Sequence, residues 1–144
     1  MILSNIMAAV AASTILSASQ AFAHSPPDTA RVFFTNLQQG VEVTSPFRIA
    51  FGIQGFGVTS AGDSARSKHV AGHFHLLVNQ AQLPDMEQPL PYTRNIIHFD
   101  RGETETTLEL PAGRHTLQLM LADEEHEPHD PPLLSEQITI TVNR

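Results

Sequence analysis

Between residues 47 and 54 the chain reads Phe-Arg-Ile-Ala-Phe-Gly-Ile-Gln, with Phe47, Ile49, Phe51 and Ile53 at every second position. A strand sends successive side chains to opposite faces, so this pattern fits a sheet with one buried face and fits no helical stripe. The same period returns along the chain. Phe74, Leu76 and Val78 share one face, as do Ile97 and Phe99, then Thr104, Thr106, Leu108 and Leu110. His115, Leu117, Leu119 and Leu121 follow, and Ile138, Ile140 and Val142 close the series. Residues 31–35 and 41–45 add two shorter runs, the second stopped by Pro46. Turn residues separate the runs at 36–40, at Arg101-Gly102 and at Pro111-Ala112-Gly113. About seven short strands with no helical pattern between them predict an all-β fold, an antiparallel sandwich of two sheets. Each strand buries one face, so a slip of one residue would turn the core outward.

The first 23 residues carry no charged side chain, residues 7–16 are small and apolar, and Ala21-Phe22-Ala23 has the small-x-small form of a cleavage site. This reads as a secretory signal peptide cut after Ala23, although its n-region has no Lys or Arg; a retained N-terminal anchor is the alternative. The apolar run is too short and too rich in alanine for a good membrane span. The expected organisation is a signal peptide at 1–23, an extended leader at 24–30 containing Pro26-Pro27, and one domain at 31–144, periplasmic or secreted, with no membrane span in the mature chain.

All 8 Lys and Arg and all 15 Asp and Glu lie after residue 23, for a formal charge of −7. That balance speaks against nucleic acid and anionic membrane surfaces as partners, since both attract cationic faces. Without cysteine, the domain stands on packing alone, and thiolate metal sites and cysteine nucleophiles are excluded. Two long irregular segments, 55–72 and 80–95, interrupt the strands; the second holds Pro84, Pro89 and Pro91.

Eight histidines beside one tyrosine and no tryptophan are the compositional oddity. His73 and His75 leave one strand on the same side, opposite Phe74, Leu76 and Val78, and hence away from the core. His98 is likewise opposite Ile97 and Phe99. If the two strands are neighbours, three imidazoles converge on an outer surface, a donor set that suits zinc or copper. The plain reading is three solvent-exposed strand histidines. His126 and His129 lie three apart in a polar loop, 123–132, pinned by Pro128, Pro131 and Pro132, with Asp123, Glu124, Glu125 and Asp130 around them. Carboxylates there could raise imidazole pKa or orient a ligating ring; a solvated, charged loop is the plain reading. His115 continues a core face and fits a buried, hydrogen-bonded histidine better than a ligand. Cleavage after Ala23 would expose His24 as a terminal amine-imidazole pair of the kind Cu(II) favours, against the plain reading of a frayed terminus. Catalytic patterns are wanting: there is no G-x-S-x-G elbow, and no Gly-rich loop opens a helix.

The histidine segments at 72–79, 96–105 and 111–135 resemble the bacterial, exported "domain of unknown function 4399" family, over about residues 31–142. Its pattern runs Gly-His-His-His-Leu-Leu, His-Ile-His-Phe-Gly, Pro-x-Gly-x-His-Thr-Leu-Gln-Leu, then Asp-x-x-His-x-Pro-His-x-Pro-Pro. This chain keeps His73 and His75 around Phe74, and His98 with Ile96 where the pattern has a histidine. It keeps His115, Asp123, His126, Pro128, His129, Pro131 and Pro132, with Ala122 in place of a glycine. The resemblance implies an envelope location, an Ig-like sandwich and a shared histidine-lined site, and it implies no reaction.

Two functions follow as expectations. One is an envelope protein that binds copper or zinc through His73, His75 and His98, with His126 and His129 as co-ligands and His24, His115 and Asp123 as secondary candidates. The other is a metal-free module whose long segments meet an envelope protein or glycan.

Overall fold

The computed structural model describes residues 25–63 and 70–144. The expected cleavage site, His24 and His69 lie outside the described residues. Ten strands form: β1 (Arg31–Phe34), β2 (Glu42–Thr44), β3 (Phe47–Gln54), β4 (Gly57–Val58), β5 (Ala71–Val78), β6 (Ile96–His98), β7 (Glu105–Leu108), β8 (Gly113–Ala122), β9 (Pro128–Leu134) and β10 (Ile138–Asn143). No helix among the described residues is long and apolar enough to cross a membrane.

The strands make two sheets, one of order β1-β3-β7 and one of order β2-β10-β8-β5-β4, with β6 on β5 and β9 on β8. β5 and β8 run antiparallel at the centre of the larger sheet, from His73 opposite Ala122 to Val78 opposite Leu117. β4 and β6 follow one another along β5, pairing with its first residues and its middle respectively. β10 and β9 do the same along β8.

The alternating faces meet between the sheets. Ile49 and Phe51 from one sheet pack with Phe74, Leu76, Leu117, Leu119, Leu121 and Ile140 from the other. Phe51 meets Phe74 at a ring separation of 5.2 Å and Phe99 edge-on at 4.7 Å. Each such side chain contributes about 1.5–3 kcal/mol by leaving water, which holds the register that the alternation implies.

Three features depart from the sequence reading. Among the described residues there are ten strands rather than about seven, because β4 lies within the segment read as a loop at 55–72 and β9 occupies the second half of the polar stretch at 123–132. β9 carries Pro128, Pro131 and Pro132, and proline is tolerated in a strand where the lost N–H faces no ladder partner. Two pairings, β2 with β10 and β4 with β5, are parallel in an otherwise antiparallel sandwich.

The third departure matters most. The histidine face of β5 does not look outward into solvent: His73 and His75 are both 0% exposed and Leu77 is 1%. A second apolar cluster covers that face, made of Leu77, Leu90, Ile96, Met120 and Ala122, with Met86 and Leu134 against it. Segment 79–95 folds back over the sheet. It is tied down by Asn95, whose side chain donates to the Val78 carbonyl, and by the Leu90 N–H, which donates to the His126 carbonyl at 2.9 Å.

Candidate metal centre

His75 and His98 are direct cross-strand partners of β5 and β6, and their rings lie 4.4 Å apart. His73 is two residues from His75 on the same face, with ring centroids 4.5 Å apart. The fourth member arrives from the turn between β8 and β9. There the His126 N–H donates to the Asp123 carbonyl, and the Asp123 N–H donates to the Glu127 carbonyl. The Asp123 carboxylate accepts the N–H groups of Glu125 and Glu127 at 2.8 and 3.0 Å. The turn holds His126 at φ 66°, a left-handed conformation that costs a non-glycine residue about 1–2 kcal/mol. This conformation accompanies an inward ring: His126 Nδ1 lies 2.9 Å from His73 Nε2.

The result is a tetrad. Ligand-type atoms of His73, His75, His98 and His126 all lie within 4.8 Å of one another. Its hydrogen bonds fix which nitrogens face inward. His98 Nε2–H donates to the Pro91 carbonyl at 3.2 Å, so Nδ1 keeps its lone pair. The Tyr92 hydroxyl donates to Asp100 Oδ2 and can only accept from His126 Nε2–H, both at 2.9 Å. His126 Nδ1 is therefore also a free lone pair, shared with His73. Neither nitrogen of His75 has a hydrogen-bond partner among the described residues.

This setting keeps His73, His75 and His98 neutral. Burial, then the neighbouring imidazoles His73, His98 and His126, push His75 down to about 2, against a weak pull from the His73 backbone carbonyl, which lies outside good hydrogen-bond geometry. Burial and His126 push His73 down to about 4, against the opposing pull of Asp100. His98 is lowered by burial first, while its bond to Pro91 works the other way. Neutral imidazole is the form that ligates a metal.

Tyr92 and Asp100 also line the tetrad, and sequence reasoning missed both. The Tyr92 ring is stacked on His98 at 3.8 Å and 12°, and closes the site on its solvent side, 66% exposed. Partial desolvation raises the phenol, as does the hydrogen bond to Asp100. Asp100 Oδ1 lies 3.8 Å from both His73 Nε2 and His98 Nδ1. Asp100 follows His98 by two residues on the same side of the chain, which was a usable signal. Nothing local marks Tyr92.

The other candidates stand elsewhere. His129 is in β9, packed edge-on against Phe56 at 5.1 Å and behind Gly72, outside the tetrad. His115 is 8% exposed with both nitrogens engaged: Nε2–H donates to the Pro111 carbonyl at 2.8 Å, and Nδ1 accepts from Asn79 at 3.0 Å. Asp123 shapes the turn that carries His126 and also belongs to an acidic group with Glu125 and Glu127.

No curated protein and no solved structure matches the chain. Residues 49–143, which span β5, β6, β8 and the turn with His126, match the family model described as Domain of unknown function (DUF4399), and the chain belongs to that family.

Proposed function

We propose that this protein is exported to the cell envelope and there binds a transition metal, copper or zinc, through His73, His75, His98 and His126. The role is binding or buffering rather than turnover. One observation carries the reading. His75 is fully buried among three other imidazoles, with both nitrogens lacking a hydrogen-bond partner among the described residues. A buried polar group without a partner costs about 1–3 kcal/mol, and a bound ion would remove that cost. Zinc takes imidazole nitrogens at about 2.0–2.1 Å in a tetrahedron. The tetrad is somewhat wider than this and would contract on an ion. The His73–His126 hydrogen bond would give way to two metal bonds as the His73 proton moves to Nδ1. The lone pairs of His98 and His126 are already aimed by Pro91 and Tyr92, which hold the far nitrogen of each ring as the partners of metal-bound histidines do.

The experiment is thermal unfolding of chelator-stripped protein with and without Zn(II) or Cu(II). An ion at 100 times its Kd stabilises the folded state by about 2.7 kcal/mol. An unfolding midpoint unmoved by either ion would refute the proposal.

A second reading, a metal-free module for an envelope protein or glycan, is favoured by the exposure of Leu83 (47%) and Tyr92 (66%) on segment 79–95. Binding of a partner that is indifferent to chelation and abolished by Leu83→Asp would support it.

A further inference from the structure

We propose that Asp100 is the charge-bearing partner of the tetrad and makes the site prefer a divalent transition ion to a monovalent one. The inference rests on the metal-binding reading above and names the class of ion. Four imidazoles are neutral donors, so an ion held by them alone keeps its full charge in a buried place, where uncompensated charge is strongly disfavoured. One carboxylate faces that place without another engagement for its inner oxygen. Asp100 Oδ1 is buried and has no hydrogen-bond partner among the described residues. It stands 3.8 Å from His73 Nε2 and 3.8 Å from His98 Nδ1, while two ligands of one tetrahedral zinc lie about 3.3 Å apart. The inner oxygen is therefore at the rim of the coordination space, on its solvent side.

Tyr92 is the positioning residue. Its hydroxyl holds Asp100 Oδ2, and its ring is fixed by stacking on His98. With one oxygen held outside, the other is turned toward the imidazoles. The other nearby acid, Asp123, has its Oδ1 committed to the N–H groups of Glu125 and Glu127.

The chemistry follows from charge. The attraction of a carboxylate for an ion scales with the charge of that ion, so removing Asp100 should weaken a divalent ion by the square of the factor for a monovalent one. A carboxylate oxygen is also a harder donor than imidazole, a further disadvantage for Cu(I) relative to Zn(II).

The test is competitive titration of Zn(II), and of Cu(I) without oxygen, into stripped wild-type protein and Asp100→Asn. The isosteric amide can still accept the Tyr92 hydroxyl. Zn(II) affinity should fall about a hundredfold and Cu(I) affinity only about tenfold, and Asp100→Glu should recover part of the Zn(II) loss. Equal losses for the two ions, or none, would overturn the assignment while leaving the tetrad as a metal site. Failure of the wild type to bind either ion would remove the metal-binding reading and this inference together. Unfolding of each stripped protein checks that the variants fold. If Asp100→Asn does not, Tyr92→Phe decides: it keeps the ring stack and releases Oδ2, so the Zn(II) to Cu(I) affinity ratio should drop, and an unchanged ratio would overturn the proposal.

Discussion

His75 and His98 face each other across β5 and β6 with ring centroids 4.4 Å apart, and the Nε2 of His98 is held by the Pro91 carbonyl. One of the two rings is oriented by the protein, and the other has no hydrogen bond among the described residues. The pair is expensive for a structural element and well suited to a ligand set.

The first prediction follows from that expense. His75→Leu fills similar space without polar atoms. In chelator-stripped protein it should raise stability by about 1–3 kcal/mol, the cost of a buried unpartnered polar group, and metal affinity should be lost. Urea unfolding of both stripped proteins measures it. Lower stability in the variant would mean that His75 has a structural role.

The stripped protein should also be sensitive to acid. His73 is pushed down to about 4 and His75 to about 2, whereas both titrate near 6.5 when unfolded. Between those values the unfolded chain binds more protons than the folded one, so stability rises with pH. It is fully present above about pH 6.5 and falls as the pH drops toward 4, with a limiting slope of about 1.4 kcal/mol per pH unit for each group. Urea midpoints at pH 7.5, 6 and 5 would show it; a flat profile would contradict the burial of neutral rings.

His115→Ala should separate structure from binding. It removes two hydrogen bonds and leaves the Asn79 amide and Pro111 carbonyl short of a partner. A stability loss of about 1–3 kcal/mol is expected, with metal affinity unchanged. A loss of affinity at equal stability would place His115 in the site.

Gly72 supplies a test of the β5–β8 seam. A Cβ there would stand 2.5 Å from the Ala122 carbonyl oxygen and 3.0 Å from His129 Nε2. Because the nearest atom is backbone, Gly72→Ala must push the central strands apart beside His73, at about 1–3 kcal/mol. An unfolding midpoint equal to wild type would show that the seam gives way easily.

The sandwich was legible because its core strands alternate cleanly; Phe47 to Gln54 and Leu117 to Leu121 could pack no other way. The shared side of His73, His75 and His98 was legible for the same reason. Their burial was not. It depends on Leu90 and Met86, two apolar residues in a proline-broken segment whose path is set by tertiary contacts such as Leu90 N–H to the His126 carbonyl. β9 was missed because its three prolines mimic a loop, and for that reason His126 and His129 were grouped in one loop. His126 stands in the turn and His129 in β9, so the two meet different neighbours. Asp100 could have been found from its spacing to His98, whereas Tyr92 reaches the site only through folding of the same covering segment.

The most direct measurement is calorimetric titration of Zn(II) and Cu(II) into stripped protein, beside His73→Ala, His75→Ala, His98→Ala, His126→Ala and His129→Ala. The account predicts one ion per chain, with affinity collapsing in the first four variants and unchanged in His129→Ala. Weak binding that is the same in all six proteins would contradict it and reduce the tetrad to a buried cluster without an ion.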